Sequence, residues 1–182
     1  MDIKGTIRKF WRRFLFWAVG RQIGSLRDLT RLISEARVVS ESDKKLILAA
    51  IKFPRVKLAD IMTPKTDITF VRDSIHLGPK VLDELYATGQ KIFPVAHASL
   101  DDAIGVIYLE DITEVAKGEQ TLSQATHLRP PVLSQKLSAS QALVEMLKNN
   151  ANLAMVGDGD GKIIGMVELR TILEVLLGYA IR

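Results

Sequence analysis

Residues 103–112, AIGVIYLEDI, return sixty positions later as residues 163–172, IIGMVELRTI. Each copy runs apolar residues into a glycine, adds two more apolar residues and ends in a charged helix start. A repeat of this kind constrains a fold more than any local signal, because each copy is a supersecondary unit that buries its apolar face against its neighbour. The β-branched residues Ile104, Val106 and Ile107 read as a buried strand. Gly105 and Gly165 mark places where another backbone has to come close. Asp111 falls about one turn into the following helix, where free N–H groups make a natural anion site.

The flanking residues extend both copies. The first leads in through residues 57–67, read as a short helix ending in a Pro-bearing turn. A strand is expected over 68–71, and a helix over 78–88 carries Val81, Leu82, Leu85 and Tyr86 and stops at Gly89. Strands follow over 92–96 and 103–108, then a closing helix over 109–117 before Gly118. In the second copy residues 122–126 match 58–62, a strand spans 131–134, and Ser138 caps a helix holding Ala142, Leu143, Met146 and Leu147. Strands over 153–156 and 162–168 are joined by Asp158-Gly159-Asp160-Gly161, a hairpin signal. That run lacks the downstream glutamate of a calcium loop and reads as a turn. Residues 169–177 close the copy before Gly178. The fold class is therefore α+β, with β-α-β-β-α written twice. Asp101 and Asp102 fall in the first hairpin turn and read as solvated.

Two helices are expected ahead of the repeat. Residues 23–36 carry a stripe of Leu26, Leu29, Leu32 and Ile33 with Ser25 as N-cap. Ser40 caps the next, with Leu46, Ile47, Ala50 and Ile51 facing inward and Pro54 just past its end. The expected division is 1–24 as a basic aromatic segment, 25–56 as a helical linker, and 57–118 and 119–182 as the two repeats.

Composition decides what chemistry is open to such a chain. Hydrophobic residues are 47% of its 182, enough for a real core. With no cysteine, disulfides and thiolate metal sites are excluded. His76, His97 and His127 are scattered without ligand spacing, so no metal site is expected. No nucleophile–base arrangement, phosphate-cradling glycine loop or paired carboxylates appear, so the expectation is a protein that is not an enzyme.

The net charge of +4 is unevenly spread. Residues 1–37 hold nine Lys or Arg against three Asp or Glu, and residues 38–182 hold sixteen against eighteen. The basic excess thus belongs to the N-terminal end. There Ile3, Ile7, Phe10, Trp11, Phe14 and Ala18 fall on one helical face, with Lys4, Arg8, Lys9, Arg12 and Arg13 largely elsewhere and Trp17 nearby. Such a helix suits a membrane surface, with Phe10, Trp11, Phe14 and Trp17 entering the headgroup boundary and Arg12 and Arg13 meeting anionic lipid. It equally suits packing against the chain's own body or a second copy; nucleic acid is the weakest of the three readings. The longest uninterrupted apolar run, residues 14–19, is far short of the roughly twenty that a span needs.

Three stretches together resemble a known family. They are Asp60-Ile61-Met62-Thr63-Pro64-Lys65-Thr66-Asp67, then Phe93-Pro94-Val95, then Gly105-Val106-Ile107-Tyr108-Leu109-Glu110-Asp111-Ile112. Residues 58–178 resemble a tandem pair of CBS domains. Residues 25–178 are similar to the cytosolic module of the CorC and hemolysin-C-like proteins, relatives of the CNNM magnesium and cobalt transporters. The resemblance implies a disc-like pair of repeats, a homodimer, and clefts that take AMP, ADP or ATP with magnesium. It implies a nucleotide site at Asp111, Tyr108, Pro94, Thr66 and Asp67, and a transmembrane ion transporter as partner. It places the chain in the cytoplasm, with the basic segment holding it to the inner membrane face.

The family's nucleotide motif is a glycine, two apolar residues, Ser or Thr, two variable residues and an Asp that takes the ribose hydroxyls. Here Tyr108 stands at the first hydroxyl position, with Asp111 retained. In the second copy Glu168 and Thr171 stand at the hydroxyl and Asp positions. A carboxylate where a phosphate would lie opposes binding, so the second site reads as dead for ATP. Asp111 is open to two readings, ribose acceptor or helix N-terminal acid. A regulatory module that senses nucleotide or magnesium is the leading expectation; a structural dimerisation module with no ligand is the alternative. The homodimer is expected to form through Ile112, Val115, Ile172, Val175 and Leu176 on the closing helices.

Overall fold

The computed structural model describes residues 24–118, 122–127 and 129–179. The chain divides into two compact units, Met1–Ile51 and Lys52–Arg182. The basic aromatic segment, with Phe10, Trp11, Arg12, Arg13, Phe14 and Trp17, lies outside the described residues.

Helices α1 (Leu26–Glu35) and α2 (Glu41–Lys52) precede the repeat. Ser25 and Asp28 form a reciprocal capping box on α1, satisfying two N–H groups that a helix start leaves open. The Ser40 hydroxyl accepts from the Asp43 N–H at 3.2 Å and caps α2. Neither helix buries a residue. Leu46 and Ile47, expected to face inward, are 39% and 38% exposed. Periodicity fixes which face is apolar, not what covers it.

The second unit holds both repeats. The first runs through β1 (Thr63–Pro64), β2 (Val71–Arg72), α3 (Pro79–Ala87), β3 (Ile92–Ala96), β4 (Ala103–Tyr108) and α4 (Leu109–Lys117). The second runs through α5 (Leu122–Ala125), β5 (Val132–Ser134), α6 (Ala139–Lys148), β6 (Leu153–Gly157), β7 (Ile163–Glu168) and α7 (Leu169–Leu177). One sheet has the order β2-β3-β4, the other β1-β7-β6-β5. β2–β3 and β5–β6 are parallel, while β3–β4 and β6–β7 are antiparallel hairpins, each with a register shift at the equivalent place. The hairpin expected at Asp158–Gly161 joins β6 to β7, and the Asp158 carboxylate accepts from the Asp160 and Lys162 N–H groups.

Alternation along the hairpin strands builds three cores. Ile107 and Ile112 pack with Val71, Leu85 and Phe93 under the first repeat's helices. Val167 and Ile172 pack with Phe53, Leu58, Ala142 and Met146 under the second's. Val106 and Met166 face the other way and join Ile92, Leu153, Met155 and Ile163 in a core shared by the two sheets. This third cluster binds the repeats into one body.

Four expectations change. Residues 57–67 are no helix: 3₁₀ turns at Leu58–Asp60 and Lys65–Asp67 flank β1, because Thr63 and Pro64 pair with Met166 and Gly165 of β7. The strand expected over 68–71 is displaced to β2. Ile104 is 41% exposed, since the strand carries it to the rim. Ile112 and Ile172 have no exposed surface and belong to their own repeats' cores, so they offer nothing to a second copy. Val115, Val175 and Leu176 also pack inward, against the same clusters.

Candidate functional site

The repeat places two crossing segments on two glycines. Gly165 admits the lead-in segment: a Cβ there would stand 2.6 Å from the Thr63 carbonyl and 2.8 Å from the Met62 sulfur. Gly105 admits the linker between the repeats, and a Cβ there would overlap the His127 carbonyl and the Thr126 methyl. The linker is pinned by a bridge to Val106, whose carbonyl accepts from the His127 N–H at 2.8 Å. Each half therefore carries the other's crossing segment beside its own strand–helix corner, and the Gly105 corner opens a cleft.

The first cleft encloses about 570 Å³ and is lined by Tyr108, His127, Arg129, Pro130, Pro131 and residues 149–153. Its polar groups are organised around His127. The His127 Nε2 lies 3.0 Å from an Asp111 carboxylate oxygen. The Tyr108 ring meets the imidazole edge-on, with centroids 5.0 Å apart, and the Tyr108 hydroxyl accepts from the Asn152 amide at 2.8 Å. Arg129 is exposed, and among the described residues no carboxylate pairs with it. A cleft of this size, with a cation, an imidazole, amides and an aromatic ring, suits a phosphorylated, partly planar small molecule.

At the Gly165 corner the polar groups bond within the protein. Lys65, just past β1, donates to the Asp101 carboxylate at 2.6 Å. The other oxygen of Asp101 accepts from the Ile163 N–H at 2.7 Å. Both contacts hold the Asp101 carboxyl below its ordinary range, the lysine contributing most. Asp101, expected to be solvated, is a tie between the lead-in segment and both hairpins. The Gln90 amide accepts from the Thr69 N–H at 2.8 Å and donates to the Thr69 carbonyl at 3.1 Å. Glu168 lies in a separate cleft of about 490 Å³ between the starts of α4 and α7, with Lys91, Tyr108, Asn152 and Arg170. Burial pushes its carboxyl up, nearby Glu174 adds to the rise, and Arg170 and Lys91 oppose it.

The five nucleotide-site residues expected from sequence do not form one site. Tyr108 lines the first cleft, and Asp111 reaches it only through its contact with His127. Thr66 and Asp67 sit in the turn packed on β7, across from it, where the Thr66 hydroxyl donates to the Asp67 carboxylate at 2.8 Å. Pro94 is buried within β3, opposite Val106. His127, Arg129 and Asn152 were not singled out as site residues. Their signal was positional: His127 and Thr63 occupy equivalent places in the repeat. Among the described residues no cluster of His, Asp and Glu could hold a metal ion, and no helix is long and apolar enough to cross a membrane.

The two copies of strand–helix–hairpin–helix have the fold of a tandem CBS-domain pair, and residues 125–178 match the CBS domain family. Within that class the chain resembles CorC and hemolysin-C proteins. It is 23% identical over 166 residues to the magnesium and cobalt efflux protein CorC of Pasteurella multocida, covering 85% of this chain and 54% of that protein. It is 23% identical over 141 residues to hemolysin C of Brachyspira hyodysenteriae, covering 77% of this chain and 52% of that one. The chain spans between about a third and about half of the curated relatives it matches. The CBS domain of a bacterial CNNM/CorC family Mg2+ transporter superposes with a TM-score of 0.68 at 22% identity, covering 88% of this chain and all of that one. The same domain solved in complex with ATP gives 0.60 at 24% identity, covering 75% and 97%.

Proposed function

We propose that this chain is a non-catalytic regulatory module that binds an adenine nucleotide in the first cleft and acts with a divalent-cation transporter at the cytosolic membrane face. The observation that carries this reading is the asymmetry of the corners. The first keeps an open volume with Arg129, Asn152 and Tyr108 around it and Asp111 behind His127. At the Gly165 corner, Lys65 and Gln90 bond to Asp101 and Thr69 within the protein. The ATP complex of a related fold supports the ligand class, and the CorC resemblance supports magnesium or cobalt transport as the setting. The basic aromatic segment would hold the module to anionic lipid. A homodimer would use the apolar residues the fold leaves exposed, chiefly Tyr86, Val144 and Leu147.

The test is calorimetry and thermal shift on the full chain with AMP, ADP and ATP, with and without magnesium. A ligand at one hundred times its Kd stabilises the folded state by about 2.7 kcal/mol. One site per chain is expected, lost in Asp111→Ala and retained in Thr171→Ala. No shift with any nucleotide would favour the structural dimerisation module, a reading to which the Asp111–His127 contact lends weight because it occupies the ribose acceptor.

A further inference from the structure

His127 and Arg129 line two cavities at once. One is the 570 Å³ cleft; the other, of about 590 Å³, is lined by Asp73, Val95, Ile104, Leu122, Ser123 and Thr126. The imidazole and the guanidinium thus stand on the wall between two open volumes. The His127 backbone cannot drift, being bonded to Val106 and wedged over Gly105. Its ring is turned to bring Nε2 onto Asp111 and an edge onto Tyr108. A carboxylate on one ring nitrogen fixes the orientation of the imidazole and leaves the other ring nitrogen for a second partner.

We propose that Asp111 serves as the orienting carboxylate for His127, and that the His127 imidazolium and the Arg129 guanidinium together recognise the phosphate of the ligand. This rests on the nucleotide reading for the ligand's identity but not for its charge. Asp111 is then a positioning residue, and the ribose is read elsewhere. The charged and titratable groups around His127 are Asp111 on α4, Tyr108 at the end of β4, Arg129 on the same linker, and Asp73 beyond β2. Asp73 is itself held by His97 at 2.6 Å. The residues facing the cleft between α6 and β6 are uncharged.

The experiment is calorimetry on the full chain with AMP, adenosine and inorganic phosphate at pH 5.5, 7.0 and 8.5. It is repeated for His127→Gln, Arg129→Ala and Asp111→Asn. AMP's phosphate has its own second pKa near 6, so the readout at each pH is the affinity ratio of the parent chain to His127→Gln. That ratio should be about tenfold or more at pH 5.5, as for a charge-assisted hydrogen bond, and approach one at pH 8.5. Arg129→Ala should weaken AMP at every pH. Asp111→Asn should weaken AMP while leaving adenosine unchanged. A ratio that is constant with pH, or an Asp111→Asn loss as large for adenosine as for AMP, would overturn the proposal and leave the nucleotide reading standing. Binding of inorganic phosphate with the same pH-dependent ratio, but of neither AMP nor adenosine, would uphold the anion pair and sink the nucleotide reading. No binding of any of the three probes would overturn both.

Discussion

The two repeats share one plan and differ in where their polar groups are used. At both corners the closing helix is tied by the same bond: the Leu109 N–H donates to the Lys91 carbonyl at 2.9 Å, and the Leu169 N–H to the Asn152 carbonyl at 2.8 Å. At both, a glycine accepts a crossing backbone. Yet Lys65 reaches Asp101, while its counterpart Arg129 faces an open cleft. The shared bonds are backbone bonds, which the fold dictates whatever the side chains. The differing ones are side-chain bonds, which keep one corner's cation bonded within the protein and leave the other's facing an open cleft.

The largest effect should come from testing the shared half of that comparison. Gly165→Ala drives a methyl into the Thr63 carbonyl and Met62, and Gly105→Ala into the His127 carbonyl. A backbone carbonyl cannot rotate away, so each should cost about 2–3 kcal/mol, with a lower Tm. The cleft separates the pair: Gly105→Ala shifts the linker that bears His127 and should also weaken AMP, while Gly165→Ala should leave AMP affinity within about twofold. Equal losses of AMP binding would show that the corners are not independent.

A middle-sized effect concerns the self-bonded corner. Asp101→Asn removes the charge that Lys65 and the Ile163 N–H share, and Asp101→Ala removes the acceptor as well. The carboxylate is 40% exposed, which lowers the expected loss to about 1–2 kcal/mol for Asp101→Ala by thermal denaturation. An acid with a depressed folded pKa stabilises the fold above its unfolded pKa, near 3.9, and loses that contribution as pH falls through the folded value. The parent and Asp101→Ala should therefore differ at pH 7 and converge as pH falls below about 4. A difference that persists at pH 2.5 would mean that packing, not charge, makes the tie.

Much of this asymmetry was legible in sequence and some was not. The repeat gave the hairpin strands, the closing helices and both glycines, but neither β1 nor the place of β2, because apolar periodicity and a missing Cβ are properties of single positions. The replacements at Tyr108, Glu168 and Thr171 were visible for the same reason. The partners of Asp101 were not, since Lys65 lies 36 positions away and Ile163 lies 62 away. The family resemblance puts Thr66 and Asp67 with Asp111 in one nucleotide site. The sheet order sends the lead-in segment to β7, so sequence neighbours became residents of the opposite corner. His127 was set aside for want of a nearby histidine, a criterion that suits metal ligands and misses a single imidazole with a carboxylate.

The smallest effect is at Glu168, and it asks whether the second repeat bears a cost for its departure from the nucleotide motif. Its carboxyl is pushed up chiefly by burial, with Lys91 and Arg170 offsetting part of that. An acid whose folded pKa lies above its unfolded value holds its proton more tightly when folded. Ionisation then costs stability as pH rises past the unfolded value, and below it both states are protonated and the cost vanishes. Glu168→Gln keeps the shape and removes the charge. It should raise Tm at pH 7.5, by about 2–4 °C for each kcal/mol gained, with a gain on the order of 1 kcal/mol at most. At pH 3.5 the two proteins should melt together. If Glu168→Gln is less stable at pH 7.5, the contacts with Lys91 and Arg170 outweigh burial. Glu168 would then be a stabilising ion partner between the repeats, and the second corner would bear no cost for its departure from the motif.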